Sequence, residues 1–511
     1  MRPYFIASFV VLSVTACDRP ISAPMQPASA TPSVQANGTA LAPDQLAQLK
    51  GVTRLVDAWI ASRVLTLVQG RLLLQPLSQA MALYFSGNST DGQALLGVAV
   101  ARAQALTQSG ALTVSQANQF STPVRSVVNN EILFSQIALG DTHSCGLTEG
   151  GYAYCWGDNR LGQLGSAGGS STRAVLVSAA QTFARIGVGY GYSCALAAGG
   201  ASWCWGGNIS GQLGDGTTTD RAIPGLVGGG HSFTSLSLSY ALACGSVGSG
   251  DVYCWGSGGR LGTDLGGLGG PAPATCGGYY ATPWLCSTSP VKVTGSIALS
   301  APRTGDWYGC ALASGGAAHC WGWNQFYQLG DGTRNNAFTP VPVSGGISFA
   351  ALETGAVHTC GLDGAGTAYC WGGWAFNFGQ LGNGTFAPAP TPSMVSGGRV
   401  FRLIRPAVGN NIFSHTCALD GNDEAWCWGA NSYGQLAGTA LDVCSSGTPF
   451  PCSSTPIRSA VGKTFADVST GSEATCGLTR TREAWCWGLN YFGQLGNGTT
   501  LPTSIPTRVL R

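Results

Sequence analysis

Cysteine is the residue type whose number and spacing indicate chemistry most directly in this chain of 511 residues. Seven times, a cysteine is followed ten residues later by a second cysteine that begins a Cys-Trp-Gly triplet. No C-x-x-C pair, the usual spacing for zinc binding or redox exchange, is present. The pairs therefore predict disulfides and an oxidising compartment. With two further pairs in insertions they are Cys145 with Cys155, Cys194 with Cys204, Cys244 with Cys254, Cys276 with Cys286, Cys310 with Cys320, Cys360 with Cys370, Cys417 with Cys427, Cys444 with Cys452 and Cys476 with Cys486.

The ten-residue spacing has a geometric meaning. In a hairpin centred near Gly150, Cys145 and Cys155 would lie opposite each other with their Cα atoms roughly 4.5 Å apart, at the short end of what a disulfide tolerates. Closing a loop of about 11 residues is worth roughly 2.5 to 3 kcal/mol. We expect each repeat to carry one such cross-strand bridge.

Histidine is the other residue that could act as a base or a metal ligand, and the chain has five. His143, His358 and His415 share one repeat position, two residues before the first cysteine, where other repeats carry Tyr, Leu or Ala. A position that accepts Leu and Ala does not suit a metal ligand, so we expect a packing role. His319 replaces a packing aromatic, and His231 lies in a loop.

Carboxylates are sparse, and no pair recurs at a spacing suited to general acid and base catalysis. Asp215, Asp331, Asn383 and Asn497 each precede a glycine, which is typical of turns. Calcium binding there would need further oxygen ligands that the repeat lacks. A propeller hydrolase or lyase would need carboxylates or histidines clustered at the channel mouth, and we find none in register. We expect no enzyme activity, no metal and no cofactor.

Composition restricts the function further. Charged residues make up 9% of the chain and the net charge is +2, which disfavours nucleic-acid binding. Residues 136–177 predict four short strands with glycine turns between them, including Gly162-Gln163-Leu164-Gly165, and this pattern is typical of a propeller blade. Seven repeats predict an all-β, seven-bladed β-propeller over residues 131–511. We expect the C-terminal strand, 503–511, to complete the N-terminal blade.

The residues on either side of each second cysteine are mostly aromatic. Because side chains alternate along a strand, they share one blade face, and we expect them to fill the space between adjacent blades. They are Tyr154 and Trp156, Trp203 and Trp205, Tyr253 and Trp255, His319 and Trp321, Tyr369 and Trp371, Trp426 and Trp428, and Trp485 and Trp487.

The first 130 residues have a different character. Residues 1–16 have the apolar core of a signal peptide, and Val14-Thr15-Ala16-Cys17 resembles the bacterial lipobox, in which the cysteine is lipidated. The alternative is ordinary cleavage nearby. Residues 17–43 predict a flexible tether. Residues 44–130 predict a mostly helical segment of two or three helices ending near residue 120, with Asp44 as N-cap and an apolar stripe that is either a packed face or a cofactor groove.

The run Gly-x-x-His-Ser-Cys-Gly-Leu, followed by Tyr-Cys-Trp-Gly-x-Asn-x-x-Gly-Gln-Leu-Gly, resembles the repeat of the regulator of chromosome condensation family. The cysteine-bearing form is similar to exported bacterial members and plant receptor ectodomains. The third repeat departs from the pattern, and the fifth has two extra residues around Phe376. Nuclear members of the family are guanine-nucleotide exchange factors, and another bacterial propeller of this kind inhibits β-lactamase. The resemblance makes both activities alternatives for this chain.

The loops between Trp-Gly and Gln-Leu differ among the repeats. In the last four they are aromatic, which predicts a patch that binds protein or carbohydrate, unless these side chains pack on their own blades. The candidates are Trp323, Phe326, Tyr327, Trp374, Phe376, Phe378, Tyr433, Tyr491 and Phe492. The insertions at 258–289 and 438–455, each with a cysteine pair, are further candidate binding elements on the same face.

Together these features predict an exported propeller in a bacterial cell envelope, lipid-anchored at Cys17 and facing the periplasm or the exterior. We expect a monomer that touches the membrane only through its lipid and binds an unidentified protein or glycan through loops on one face.

Overall fold

The computed structural model describes residues 41–257, 274–276, 284–295, 297–373, 377–409 and 413–511. The predicted signal peptide, Cys17 and nearly all of the predicted tether lie outside these ranges, as do Trp374 and Phe376. Within them, four helices precede seven antiparallel β-sheets. The expected seven-bladed propeller, with a small helical segment before it, is confirmed.

The helices are α1 Pro43–Ala61, α2 Leu67–Phe85, α3 Ser89–Gln108 and α4 Val114–Val128. The sequence predicted two or three, ending near residue 120. Thr66 and Thr113 start additional helices because each hydroxyl accepts the backbone amide of a glutamine three residues on, whose side chain bonds back. The apolar stripe of α1 packs into a core that the four helices share. None of the described helices is apolar over a length that could cross a bilayer.

Asp44 is not the N-cap that the sequence predicted. Ala42 holds that place because Pro43 occupies the start of the helix, where a missing amide hydrogen costs nothing. Asp44 lies in the first turn with its side chain buried, and its carboxylate accepts hydrogen bonds from Tyr154 at 2.5 Å and Arg511 at 2.6 Å. The helical segment is thereby joined to the propeller.

Five blades are four-stranded sheets whose strands follow one another in chain order. Blade 1 is β1 Phe134–Leu139, β2 His143–Thr148, β3 Ala153–Gly157 and β4 Ser171–Leu176. Blade 2 is β5 Arg185–Val188, β6 Tyr192–Leu196, β7 Ser202–Gly206 and β8 Arg221–Leu226. Blade 4 is β14 Leu299–Thr304, β15 Tyr308–Ala313, β16 Ala318–Gly322 and β17 Ala337–Pro342. Blade 5 is β18 Phe349–Thr354, β19 His358–Asp363, β20 Ala368–Gly372 and β21 Ala389–Met394. Blade 7 is β27 Asp467–Thr470, β28 Ala474–Leu478, β29 Ala484–Gly488 and β30 Thr503–Arg508.

Blades 3 and 6 carry the two insertions, and each gains a fifth strand at its outer edge. Blade 3 is β9 Phe233–Leu238, β10 Leu242–Val247, β11 Val252–Ser257, β12 Ala274–Cys276 and β13 Trp284–Lys292. Blade 6 is β22 Phe401–Pro406, β23 His415–Asp420, β24 Ala425–Ala430, β25 Asp442–Ser445 and β26 Pro449–Arg458. The added strands β12 and β25 pair with β13 and β26. The described part of each insertion thus extends a sheet.

All nine predicted cysteine pairs are disulfides. In the seven repeat pairs the two cysteines face each other on the second and third strands, as Cys145 faces Cys155. Their Cα atoms are 4.0 to 4.1 Å apart. The two insertion pairs join the added strands to their blades.

Tryptophan fills the space between blades, as the alternation predicted. Trp205 is fully buried, and its Nε1 donates to the carbonyl oxygen of Gln163 in the preceding blade at 2.9 Å. The Ser193 hydroxyl donates to the same oxygen at 3.1 Å. The tryptophan bond recurs from Trp156 to Gln494, Trp255 to Gln212, Trp371 to Gln328, Trp428 to Gln380 and Trp487 to Gln435.

The ring closes without strand exchange, so the prediction that the C-terminal strand completes the first blade was wrong. β30 pairs with β29 in the seventh blade, and blade 1 holds all four of its own strands. The sequence contains one outer segment for each of seven blades, and none is left over to exchange. The seam is closed by contacts such as Trp156 Nε1 to the Gln494 carbonyl and the Ala174 amide to the Leu510 carbonyl, both at 2.9 Å.

Candidate functional site

The candidate site lies on one face of the ring, which we call the loop face. It is formed by the turns between the first and second strands of each blade and by the loops that follow the third strands. Backbone hydrogen bonds join the two sets, for example from Asp158 to Thr142 at 3.0 Å and from Trp323 to Trp307 at 3.0 Å. The first turns approach the channel axis, because the first strand of each blade is innermost, and the third-strand loops surround them.

One repeat position, four residues before the first cysteine of each blade, contributes a side chain to each first turn. Blade by blade it holds Asp141, Tyr190, Tyr240, Asp306, Ala356, Phe413 and Ser472. Neighbouring members contact one another: the rings of Tyr190 and Tyr240 lie 4.7 Å apart between centroids. The backbone amides of Tyr240 and Gly409 donate to the Asp306 carboxylate, so residues of blades 3, 4 and 6 meet at the axis. We call this group the mouth ring.

Three carboxylates come together at the mouth ring. Burial and the nearby Asp141 carboxylate raise the pKa of Asp306 to about 7. The same two causes raise the pKa of Glu473, in the first turn of blade 7, to about 8. Burial also raises the pKa of Asp141, although a hydrogen bond from Ser472 opposes the shift. Each negative charge makes the next carboxyl group harder to ionise, because burial places these groups in a low-dielectric environment.

The sequence expectation that no carboxylates stand in register at the mouth was therefore wrong. Asp141 and Asp306 occupy the same repeat position, and Glu473 is one residue further on in its own turn. The sequence signal that could have predicted this cluster is the Gly-Asp pair that precedes both Cys145 and Cys310. Tyrosine at the equivalent places in blades 2 and 3 obscured it.

The predicted aromatic residues divide by burial. Trp323, Tyr327, Tyr433 and Phe492 are half-buried, and Tyr491 is 57% exposed. Tyr433 and Tyr491 meet edge to face with centroids 5.7 Å apart, and Trp323 meets Trp307 in the same way at 4.7 Å. Residue Trp307, from the first turn of blade 4, is an addition that the sequence analysis missed. Burial and the charge of Glu473, the residue after Ser472 of the mouth ring, raise the pKa of Tyr433, which places Tyr433 near the ring.

Two of the predicted aromatics are interior residues. Phe326 is 9% exposed and packs edge to face on Trp323, with centroids 4.5 Å apart. Phe378 is 4% exposed and lies between Phe413 of the mouth ring and Phe450 of the blade 6 insertion. Phe378 therefore anchors the β25–β26 hairpin. Trp374 and Phe376 lie outside the described residues.

The repeated histidines have the packing role that the sequence indicated. His143, His358 and His415 are fully buried, and burial is the main cause that lowers the pKa of each to about 3. Nε2 of His143 lies 2.8 Å from the Ser193 hydroxyl of the next blade. That hydroxyl already donates its proton to the Gln163 carbonyl, so Nε2 carries the hydrogen. Thr416 and Thr475 receive His358 and His415 in the same way.

Below the mouth, the first strands of blades 4 to 7 carry a row of ion pairs along the channel. Arg303 and Arg405 each lie 2.8 Å from a different oxygen of Glu353, and Arg405 also lies 3.4 Å from Asp467. The positive and negative charges of these side chains therefore neutralise one another within the channel. Within the described ranges, no group of three or more His, Cys, Asp or Glu side chains has a metal-binding arrangement.

Comparison with family models finds the regulator of chromosome condensation (RCC1) repeat in both halves of the propeller. One model matches residues 134–163, 413–435 and 465–494, and a second matches 315–362 and 483–510. Among curated proteins, the human E3 ubiquitin-protein ligase HERC2 is 29% identical over 125 residues, and the mouse probable E3 ubiquitin-protein ligase HERC4 is 35% identical over 95 residues. These matches cover 24% and 19% of this chain, but only 2% and 8% of the ligases.

Solved structures share the fold. Prp20p of Saccharomyces cerevisiae has a TM-score of 0.58 at 20% identity, with 74% of this chain and 88% of that chain covered. Human WBSCR16 has a TM-score of 0.56 at 17% identity, with 70% and 95% covered. Yeast RCC1 (Prp20) in complex with Kap60 also has a TM-score of 0.56, at 20% identity, with 74% and 85% covered.

Proposed function

We propose that this chain, whose regulator of chromosome condensation repeats form a seven-bladed propeller, is a protein-binding module that holds its partner on the loop face. The observation that carries the proposal is the set of half-buried and exposed aromatic side chains there. Trp323, Tyr327, Tyr433, Tyr491 and Phe492 rise from blades 4, 6 and 7. Tryptophan and tyrosine with one face packed and the other in water are the residues that dominate binding energy at protein interfaces.

A structural neighbour of this chain is a binding protein, which supports the proposal at the level of the fold. Yeast Prp20 has been solved bound to Kap60 and is described as binding Gsp1p and histones. At 20% identity only the fold is shared, so those partners are not carried over to this chain. The ring nevertheless gives the loop face a rigid base, because each blade is closed by a disulfide and six of the seven blades are hydrogen-bonded to the preceding blade through tryptophan.

We further propose that the protein is exported and anchored by a lipid on Cys17, with the residues between Cys17 and α1 as the tether. Nine disulfides are compatible with an extracellular or periplasmic location. Labelling with a radioactive fatty acid in a bacterial host tests the anchor. Label should enter the native chain and be absent after Cys17→Ser, whereas equal labelling of both would refute it.

The experiment that tests the binding role is a capture assay with the oxidised full chain, from envelope extract and from a glycan array. The variant Trp323→Ala/Tyr491→Ala changes two residues of the loop face. The matched control is Phe338→Ala, an aromatic residue that is 38% exposed on the outer strand β17. We expect the control to capture the same protein as the native chain, and the double variant to lose it at an unchanged melting temperature. Equal capture by all three chains, or capture of glycans alone, would overturn the proposal.

A further inference from the structure

We propose that the mouth ring is a binding site for a guanidinium group, supplied by an arginine side chain of the partner that docks on the loop face. The inference rests on the proposed function, since it names the chemistry at the centre of the same surface. It is carried by three carboxylates without a cation, by an unpartnered oxygen among them, and by two tyrosine rings beside them.

The carboxylates lack a positive partner. Among the residues described, none of the arginines or lysines pairs with Asp141, Asp306 or Glu473, whereas Glu353 and Asp467 of the channel are paired with arginine. Placing three acidic groups together inside a protein is costly unless a cation or protons neutralise them. The arrangement is thus built to receive positive charge.

Asp306 supplies the second observation. The residue is 4% exposed, and Oδ1 has no hydrogen-bond partner in the part of the chain that the structure describes. A buried oxygen that accepts no hydrogen bond destabilises the folded state, because it has lost its bonds to water without replacement. The backbone amides of Tyr240 and Gly409 donate to the carboxylate and hold it in place, so the orientation of the unpartnered Oδ1 is fixed.

The kind of cation follows from the spacing and the neighbours. The carboxylates do not converge closely enough to form a metal site within the described residues. A guanidinium is larger, offers five N–H donors in a plane, and stacks on aromatic rings. Tyr190 and Tyr240 provide such rings at the same mouth, half-buried and in contact with each other. An ammonium ion offers three donors around one point and spans separated acceptors less well.

Binding should be coupled to proton release. The groups facing Asp306 are Asp141, Tyr308 and the two backbone amides, and those facing Glu473 are Asp141 and Tyr433. With pKa values of about 7 and about 8, Asp306 is partly protonated and Glu473 mostly protonated at neutral pH, and an arriving cation displaces these protons. Affinity should therefore rise as the pH rises from 6 to about 8.5, because the carboxylates lose their protons while the guanidinium keeps its charge.

The test is calorimetric titration of the oxidised full chain with the peptide acetyl-Gly-Arg-Gly-amide at pH 6 and pH 8.5. The comparison peptides replace arginine by lysine or by citrulline, which has the same shape without the charge. The protein variants are Asp306→Asn and Glu473→Gln. The control is Asp331→Asn, because Asn383 and Asn497 already occupy the equivalent turn in blades 5 and 7.

We expect the arginine peptide to bind at least tenfold more tightly at pH 8.5 than at pH 6, and Asp306→Asn to weaken binding by about tenfold or more. Asp331→Asn should bind as the native chain does, and citrulline should not bind. Equal binding of the lysine peptide, binding that ignores Asp306→Asn, or no binding would overturn the inference. A Ca²⁺ titration that stabilises the native chain but not Asp306→Asn would replace it with a metal site.

The two proposals fail in different ways. If Asp306→Asn still captures a partner that Trp323→Ala/Tyr491→Ala loses, the binding face stands and the guanidinium site falls. If both variants capture it equally, the loop face itself is excluded. Since Asp306 is neutral below pH 7, the asparagine variant should fold, and Glu473→Gln provides a second, independent variant.

Discussion

Arg511 and Asp44 form an ion pair across 467 positions of the chain, with Nη2 of Arg511 2.6 Å from Oδ2 of Asp44. The Asp44 side chain is fully buried and that of Arg511 is 14% exposed. Arg511 also donates to the Tyr154 hydroxyl at 3.0 Å. The pair therefore joins α1, the first blade and the segment that follows β30, at a seam where no strand is exchanged.

Asp44→Asn should destabilise the protein by about 3 to 5 kcal/mol, because it leaves the Arg511 guanidinium largely buried without its charge partner. Urea denaturation of the oxidised chain measures the change. The control is Asp251→Asn, which removes an exposed pair with Lys292 and should cost far less, because water screens the two charges. Equal costs for the two variants would show that the seam contact does not stabilise the ring.

Ala437→Gly should stabilise the protein by about 1 kcal/mol. Ala437 ends the Gly-Gln-Leu turn of blade 6 with φ of 43°, a left-handed conformation that alanine adopts at a cost. Other blades have glycine there. Gly382→Ala is the reverse change and should destabilise, because the new Cβ would lie 2.6 Å from Trp428 Nε1. Thermal melts of both variants check the signs, and a stabilising Gly382→Ala would contradict this account.

Glu473→Gln should stabilise the protein at pH 8 and have little effect at pH 5. The folded state raises the pKa of Glu473 to about 8, so it holds a proton that the unfolded chain releases above its usual pKa near 4.5. Stability is then fully present below pH 4.5 and is lost as the pH rises to 8, by about 1.4 kcal/mol for each pKa unit. Urea midpoints at the two pH values measure the difference. A larger gain at pH 5 than at pH 8 would refute the shift.

His358→Gln should reduce the loss of stability in acid. Burial and the neighbouring His415 hold the pKa of His358 at about 3, whereas the unfolded chain takes up this proton below about pH 6.5. Stability therefore falls as the pH drops from 6.5 towards 3. Glutamine can still donate to Thr416 but does not titrate. The slope of stability against pH between 6.5 and 4 should be smaller for the variant, and an unchanged slope would place the acid sensitivity elsewhere.

Local spacing made much of the fold predictable. The ten-residue interval between Cys145 and Cys155 is set by one hairpin, and the alternation that places Trp156 between blades is a property of a single strand. Features of this kind depend only on residues that lie close together in the sequence, so the sequence pattern predicts them. The helix count was too low because the hydroxyl caps at Thr66 and Thr113 are local signals that the apolar pattern alone does not include.

The aromatic face was only partly predictable. Tyr491 and Phe378 stand in equivalent loops, yet Tyr491 is 57% exposed and Phe378 4%. The difference comes from the β25–β26 hairpin, whose Phe450 covers Phe378 from the next blade. The position of a residue within its repeat predicts the face of the ring on which it lies. It does not predict whether a side chain from a neighbouring blade covers that residue.

The sequence by itself determined the period, the nine disulfides, the seven blades and the packing of their tryptophans, because each depends on contacts within a repeat or between equivalent repeats. Only the tertiary structure decided how the ring closes and what gathers at its axis. Asp141, Asp306 and Glu473 belong to blades 1, 4 and 7, and Asp44 and Arg511 to opposite ends of the chain. Closing the ring brings these residues together in space. A repeat pattern in the sequence does not contain the distances between residues of different repeats.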